Sequence, residues 1–400
     1  MAMNRDIVIT GLGVVSTHGV TLDRFWQAVK EGCPCEEGDF AQPYKKSVFI
    51  DDKKLRKAGQ FINKRKSFSD DRRAFVFEAA GRALEDAGVS DRFDLGVVIG
   101  CSKPTMGRAE RWMEAVKAMK KYEESSVYNV PIAGSVEIPS LYLVKKMFLT
   151  GPSLNVTAGC ATGLMSVNTA CRLIMMGDAD IVIAGGVEVI PETTFYACYE
   201  NMGVLTDSFK HFRPFHKDRN GFIIGEGCAV VVLETEESAR NRGRKPYCKI
   251  EKWAALNDPT GYTKMNPDGA VISELINRLT NNNAYPIDYV NTHGTATRMN
   301  DPAELRAFKR SFNDKAGSMS FSATKPVTGH MLGATSAVEL AICVLALQHQ
   351  AVPPTIRLDE PDAECTIDLT PQKARHKNLE RVMTLSYGFG GPMAGIVLKR

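Results

Sequence analysis

Three residues of this 400-residue chain stand in settings suited to covalent chemistry: Cys160, His293 and His330. Cys160 lies in Asn155-Val-Thr-Ala-Gly-Cys-Ala-Thr-Gly163, just ahead of a long apolar run with helical spacing. The thiolate is the reactive form of cysteine, and the unpaired N–H groups and dipole of a helix N-terminus favour negative charge. That placement suits a nucleophile with a lowered pKa. The small neighbours Ala158, Gly159, Ala161 and Gly163 would let a thioester approach the sulfur, and nearby backbone N–H groups could hold an oxyanion. The competing reading is a buried, inert packing cysteine.

His293, in Asp288-Tyr-Val-Asn-Thr-His-Gly-Thr-Ala-Thr297, ends a predicted buried strand. The carboxyl ends of strands are where α/β sheets commonly place ligands and chemistry. His330 stands in Ser322-Ala-Thr-Lys-Pro-Val-Thr-Gly-His330, at a second glycine-flanked helix start. Lys325 precedes it by five residues, either as a nearby positive charge or as an ordinary surface lysine. The loop Ser386-Tyr-Gly-Phe-Gly-Gly391 surrounds Phe389 with glycines. It has the backbone freedom to bring an amide to a reacting carbonyl or to let an aromatic ring swing, and a tight turn is the plainer reading. In the charged turn from Phe212 to Gly227, Arg213, Asp218, Arg219 and Glu226 are expected to form a structural ion-pair network.

Other chemistries find little support. Gly11-Leu-Gly13 follows a strand, but Ser16 stands where a dinucleotide fingerprint needs its third glycine, and no P-loop occurs. No Gly-x-Ser-x-Gly elbow is present. Cys33-Pro-Cys35 is too closely spaced for a zinc pair, and no metal site is predicted.

The elements that would position these residues alternate β-branched runs with helical ones, the pattern of an α/β protein with buried sheets. Predicted strands are 6–10, 95–99, 153–156, 181–184, 229–234, 247–253, 289–292, 320–322, 381–386 and 394–398. Predicted helices are 75–87, 161–176, 271–279, 303–308 and 335–348. The basic stretches 45–73 and 109–124 are expected to be surface excursions, and the run Arg240 to Lys245 a linker between halves, with a solvated loop the plainer reading. An internal echo supports two halves: Gly159-Cys160-Ala-Thr-Gly163 aligns with Gly329-His330-Met-Leu-Gly333, each opening a long apolar helix. Chance similarity is the alternative. A true duplication would put Cys160 and His330 at equivalent helix N-termini, with halves spanning residues 1–244 and 245–400.

With 44% hydrophobic and 24% charged residues the chain has the composition of a globular protein with large cores, which excludes disorder. Its length calls for two domains or fused halves. A net charge of +4 is too small to argue for a nucleic-acid partner. Ten scattered cysteines lack the spacing of a disulfide scaffold, so a reducing, cytoplasmic setting is expected. The first ten residues hold no signal-peptide run, and no membrane anchor is predicted.

Taken together, the motifs resemble the β-ketoacyl-acyl-carrier-protein synthases of the thiolase superfamily, most closely the elongating type I and II condensing enzymes. The resemblance covers nearly the whole chain: Ile9-Thr-Gly-Leu-Gly-Val-Val-Ser16, Ala83-Leu-Glu-Asp-Ala-Gly88, the Cys160 segment, Arg213 to Gly227, Asn291-Thr-His-Gly-Thr295 with Asn300-Asp301, Lys325 with Gly329-His330, and Gly388-Phe-Gly-Gly391. It implies a five-layer αβαβα fold built from two related halves. It also implies a decarboxylative Claisen condensation, in which Cys160 is acylated from an acyl-carrier protein before malonyl-carrier protein loses CO2 and attacks the thioester. His293 and His330 would then donate N–H groups to the enolate, which is stabilised best by converging donors.

By the same resemblance, the N–H groups of Cys160 and Phe389 form the oxyanion hole and Phe389 gates the malonyl side. Lys325 and Glu339 orient His330, and Asp301 and Glu304 brace the site. Thr295, Thr297, Gly388 and Gly390 contact substrate. No bound cofactor is implied beyond the carrier's phosphopantetheine arm. The implied partners are the carrier protein and a second copy of the chain, or a related subunit in a heterodimer. The sequence departs from the family at Pro392-Met393, where Thr-Asn is usual, at Gly159 and Ser336, and in Ile99-Gly-Cys-Ser-Lys-Pro-Thr-Met-Gly107, which lacks a double glycine. A thiolase would carry a second reactive cysteine within Gly388 to Gly391, and none is there. A silent partner subunit would have lost the nucleophile. A cysteine hydrolase would use a histidine as base on Cys160.

Overall fold

The computed structural model describes residues 5–35, 47–48, 71–90, 94–104, 135–189, 193–206, 208–282 and 284–400. Most of the stretches expected as surface excursions lie outside them.

Ten strands form one mixed sheet: β1 (Ile7–Val15), β2 (Gly96–Gly100), β3 (Ser153–Leu154), β4 (Ile181–Glu188), β5 (Gly227–Thr235), β6 (Cys248–Asn257), β7 (Tyr289–Asn291), β8 (Ser320–Ser322), β9 (Arg381–Tyr387) and β10 (Pro392–Lys399). Their order in space is β8-β7-β9-β10-β6-β1-β5-β4-β2-β3. Each of the ten predicted strands is present, several extended at their ends because the flanking residues also pair.

The sheet is two copies of one topology joined at β1 and β6. Numbered by chain order within its own half, each set of five strands runs third, second, fourth, fifth, first from the outer edge inward. The directions also repeat, with parallel pairing of the second strand to the third and fourth and antiparallel pairing of the fifth to the fourth and first. Only three residue pairs, Ile7 to Ile9 against Ile250 to Cys248, connect the halves across β1 and β6.

Strand periodicity turns this sheet into layers, because successive side chains point to opposite faces. On β5, Ala229, Val231 and Leu233 face a central core, while Cys228, Val230 and Val232 face an outer one. On β10, Ala394, Ile396 and Leu398 join the same central core, while Met393 and Val397 join a third. The central core is filled by helices α3 (Thr162–Met176) and α6 (Thr335–His349). The outer faces are covered by α1 (Asp71–Ala87) with α2 (Ile138–Met147) on one side. Helices α4 (Ala270–Thr280) and α5 (Asn300–Phe312) cover the other. This is the thiolase-like αβαβα arrangement. Helix α2 escaped sequence reasoning because its short apolar face is interrupted by Lys145 and Lys146.

Residues Thr335 to Leu347 of α6 are all buried, so the helix is enclosed on every side, with Thr335, Ser336 and Glu339 the polar residues among them. The stretch Leu332–His349 is long and apolar enough to cross a membrane, yet 89% of it is buried inside the protein, as a core helix between the two halves of the sheet requires. Gly163 lets α3 and α6 touch: a Cβ there would lie 2.5 Å from the backbone nitrogen of Ala337. Gly11 and Gly13 serve similar packing rather than nucleotide binding, since a Cβ would lie 2.2 Å from Ala83 O and 1.9 Å from Ala79 O of α1.

The alignment of the two helix starts needs correcting. Helices α3 and α6 are each 15 residues long, and each follows a three-residue 3-10 turn, Gly159–Ala161 and Leu332–Ala334. Matching those turns puts Cys160 opposite Gly333, so His330 lies on the approach to its helix. The glycine spacing produced the misalignment: two Gly-x-x-x-Gly runs matched, but they serve different parts of the turn. The Arg240 to Lys245 run is the solvated connection between β5 and β6: it leaves a short helix, Glu236–Asn241, and is exposed except at Arg242, which pairs with buried Glu234 at 2.6 Å.

Candidate active site

The central helices and the carboxyl end of β7 bring the three reactive residues together. The Cys160 sulfur and one ring nitrogen each of His293 and His330 lie within 4.8 Å of one another. Cys160 Sγ is 3.5 Å from His330 Nε2, and the two imidazoles meet edge to face with centroids 5.9 Å apart.

Hydrogen bonds assign the protons on both rings. Leu332 N–H donates to His330 Nδ1 at 3.1 Å, so Nδ1 is an acceptor and neutral His330 carries its proton on Nε2, toward the sulfur. Lys325 Nζ is 3.4 Å from His293 Nδ1. An ammonium only donates, so His293 likewise carries its proton on Nε2. Ser386, whose hydroxyl donates to Cys160 O at 3.0 Å, lies 3.4 Å from the same Nδ1. A protonated Nε2 on His330 has no lone pair to offer an ion, which argues against a metal held by this cluster.

Charge reinforces the neutral state of the rings. Burial holds both histidines well below the usual imidazole range, and Lys325 pushes each in the same direction. Lys325 is fully buried rather than on the surface. Its ammonium donates to Glu339 Oε1 at 2.7 Å and also to the carbonyl of His293. It therefore orients His293 directly, whereas the sequence reading paired it with His330. His330 is held by Leu332 N–H and by Thr335 Oγ1 at 3.1 Å. Burial raises the Glu339 carboxyl to about 7 against the opposing pull of Lys325.

The carboxylates of α5 hold the loop after β7. Glu304 accepts the N–H groups of His293 and Gly294 at 2.7 and 2.9 Å, fixing the turn that carries the imidazole. Asp301 accepts Phe215 N–H at 2.7 Å, one loop further out. The expected ion-pair network around Phe212 to Gly227 splits. Arg213 lies 3.6 Å from Asp218, whereas Arg219 pairs with Asp362 at 2.5 Å.

Cys160 differs most from its expectation. Cys160 does stand in the 3-10 turn ahead of α3, but burial pushes its thiol up to about 11, with Lys103 and Lys325 opposing the rise. The resting group is a thiol. The side chain that most favours its ionisation, Lys103, was invisible to sequence reasoning because it lies 57 positions away in the segment that departs from the family pattern.

A cavity of about 480 Å³ reaches this cluster, lined by Cys160, His293, His330, Thr295, Thr297, Gly388 and Phe389. Its lining grades from buried Thr295 through half-buried Thr297 to exposed Arg298 and Lys264, as in a channel with a basic mouth. Thr295 and Thr297 hydroxyls lie 3.0 Å apart. Gly388 lines this channel but Gly390 does not; Gly391 takes its place, while Gly390 N–H donates to Tyr262 O at 2.8 Å. A second cavity of about 370 Å³ shares Cys160 and Phe389 with the first and adds Ser102, Lys103, Thr157, Tyr199 and Leu332. Phe389 thus stands between two cavities that meet at the sulfur. Gly159, at φ +52, passes close to the same loop: a Cβ would lie 3.2 Å from Gly388 Cα. Ser336 Oγ accepts Leu164 N–H at 3.1 Å, satisfying a free amide near the start of α3.

A thiolase-like sheet of two repeated halves with one cysteine and two neutral histidines defines the class of carbon–carbon condensing enzymes. Profiles for the beta-ketoacyl synthase N-terminal and C-terminal domains match residues 4–239 and 247–359, and the chain belongs to the β-ketoacyl synthase family. It is 33% identical to 3-oxoacyl-[acyl-carrier-protein] synthase 2 of Coxiella burnetii over 99% of both chains. It is 30% identical to the tetracenomycin polyketide synthase ketoacyl synthase alpha subunit of Streptomyces glaucescens, over 99% of this chain and 97% of that one. A solved type II polyketide ketosynthase, in complex with its acyl-carrier protein and bound to the hexaketide, superposes with a TM-score of 0.84 at 26% identity, over 99% of both chains.

Proposed function

We propose that this chain joins an acyl group carried on Cys160 to malonyl-acyl-carrier protein, giving a β-ketoacyl-acyl-carrier protein for fatty-acid or polyketide synthesis. The observation that carries this reading is the pair of neutral imidazoles beside the sulfur, each with its proton on Nε2.

The thiol of Cys160 attacks the incoming thioester. The carrier leaves as a free thiol, taking the proton that the cysteine gives up. The backbone N–H groups of Cys160 and Phe389 form the oxyanion hole in this reading. Malonyl thioester then enters through the larger cavity, with Thr295 and Thr297 contacting the pantetheine arm and Gly388 leaving room for it. Loss of CO2 places the electron pair on an enolate, whose oxygen accepts hydrogen bonds from His293 and His330. Neutral donors suit this step, since they stabilise the developing charge without giving up a proton to the carbanion. The enolate carbon attacks the acyl thioester, its bond to sulfur breaks, and the cysteine leaves as a thiolate that takes a proton from solvent to re-form the thiol. Phe389 gates the two cavities, Lys325 and Glu339 orient His293, and Asp301 with Glu304 brace the loops. No cofactor is needed beyond the carrier's arm.

The partner is an acyl-carrier protein, an acidic class of protein that the exposed Lys264 and Arg298 at the channel mouth would attract. A homodimer is our reading of the assembly, supported by the exposed edge strand β3, where Leu154 is 42% exposed and neighbouring Phe148 is 84% exposed. Sedimentation of the purified chain tests it, and a monomer would point to a related subunit as the partner. The halves divide at 1–244 and 245–400, a boundary supported by the repeated strand order. A cytoplasmic location is supported by ten cysteines that form no disulfide among the described residues.

Intact mass after incubation with acyl-carrier-protein thioesters tests the function, together with CO2 release from malonyl-carrier protein. Acylation at Cys160 and decarboxylation are both expected. Hydrolysis of the acyl thioester without condensation would replace this reading with a cysteine hydrolase.

A further inference from the structure

The smaller cavity contains a group that a plain hydrocarbon chain would not tolerate. Lys103 and Tyr199 line it together with Cys160. The Lys103 ammonium lies 5.0 Å from the centroid of the Tyr199 ring and 2.9 Å from Ser102 Oγ. Ser102 in turn donates to the buried carboxylate of Glu188, which also accepts Gly333 N–H at 3.1 Å. A charged lysine is thus built into the wall beside the nucleophile, balanced by Glu188 at one remove.

An ammonium has three N–H groups. With Ser102 Oγ and Tyr199 as its partners among the described residues, Lys103 retains donor capacity toward the cavity. Filling that space with methylene groups would strip water from a charge and return no hydrogen bond, a costly exchange. An oxygen acceptor on the substrate would restore the lost bond, and hydrogen bonds to charged groups are among the stronger ones.

Building on the condensing-enzyme reading, we propose that Lys103 is a specificity-determining residue, selecting acyl groups that carry a carbonyl oxygen close to the thioester, as a 3-oxoacyl chain does, over saturated chains of the same length. Cys160 and Lys103 line the same small cavity, so the recognised oxygen falls within the first few carbons from the sulfur. A channel of this kind fits extension of a poly-β-keto chain and works poorly for a fully reduced one. The reaction that supplies this substrate is therefore an earlier condensation whose ketone has not been reduced.

The test compares S-(3-oxobutanoyl)pantetheine with S-butanoylpantetheine, following the rate of acyl adduct formation at Cys160 by intact mass. The full chain should take the 3-oxobutanoyl group roughly tenfold faster or more, the factor expected when a site loses one charged hydrogen bond. Lys103→Met should bring the ratio near one, and Lys103→Arg should keep the preference. Any change in the reactivity of the thiol itself affects both substrates alike and cancels in the ratio. Equal rates in the unaltered protein, or an unchanged ratio in Lys103→Met with its melting temperature preserved, would overturn the proposal while leaving the condensing function intact. Absence of adduct from either thioester, together with no release of CO2 from malonyl-carrier protein, would overturn both.

Discussion

Cys160 Sγ and His330 Nε2 lie 3.5 Å apart although 170 residues separate them in the chain. The pair joins the central helix regions of the two halves. Because Leu332 N–H occupies the other ring nitrogen, the imidazole presents a proton to the sulfur and to whatever forms on it. The donor is therefore set before substrate arrives, the condition under which hydrogen bonding to a developing oxyanion is most effective.

Replacing Cys160 with Ala should abolish acyl transfer while leaving the fold unchanged, since the side chain removed is small and its turn is held by Gly159, Ala161 and Thr162 backbone contacts. Intact mass should show no adduct with any acyl thioester, and acylation at the original rate would rule Cys160 out as nucleophile.

His293→Ala and His330→Ala should each lower malonyl decarboxylation by about 10²–10³-fold, the loss seen when one oxyanion donor is removed. Release of CO2 is the measurement. An unchanged rate in either variant would remove that histidine from the enolate site.

Alkylation of Cys160 by iodoacetamide should keep accelerating between pH 7 and pH 9, by roughly tenfold per unit, because the thiolate is the nucleophile and burial has raised this thiol to about 11. A plateau below pH 8 would mean that the helix N-terminus and the two lysines outweigh burial.

Lys325→Met should destabilise the protein by about 3–5 kcal/mol at pH 8.5, because it leaves the Glu339 carboxylate buried without its partner. The loss should shrink toward pH 6. Glu339, already at about 7 beside Lys325, would rise further without that ammonium and take up a proton as the pH falls. Denaturant titration at the two pH values measures the difference, and a pH-independent loss would show that packing, not charge, is what Lys325 contributes.

Gly163→Ala should cost about 1–3 kcal/mol, the usual penalty of overpacking. The new methyl group would meet the Ala337 backbone nitrogen at 2.5 Å and push the two central helices apart. Thermal melting gives the stability, and acylation rates in the same variant report whether the Cys160–His330 spacing moved with it.

Local order was legible in the chain. Alternation and β-branched runs marked each strand of the sheet, and glycine-flanked turns marked Cys160, His293, His330 and Phe389, because pleat period, helix period and turn chemistry act over a few residues. Glu304 was placed only in outline: a carboxylate near the histidine could be expected, but its grip on two adjacent N–H groups depends on how α5 packs against the loop after β7.

Tertiary structure alone decided the rest. It placed Lys325 against His293, and it slid the two halves into a register in which Cys160 faces Gly333, because strand order and helix ends outweigh a shared glycine spacing. It also left Cys160 a thiol, since desolvation depends on everything packed around a side chain. Lys103 shows the division most clearly: its sequence neighbours give no sign of chemistry, and only the folded sheet brings its charge to the cavity beside Cys160.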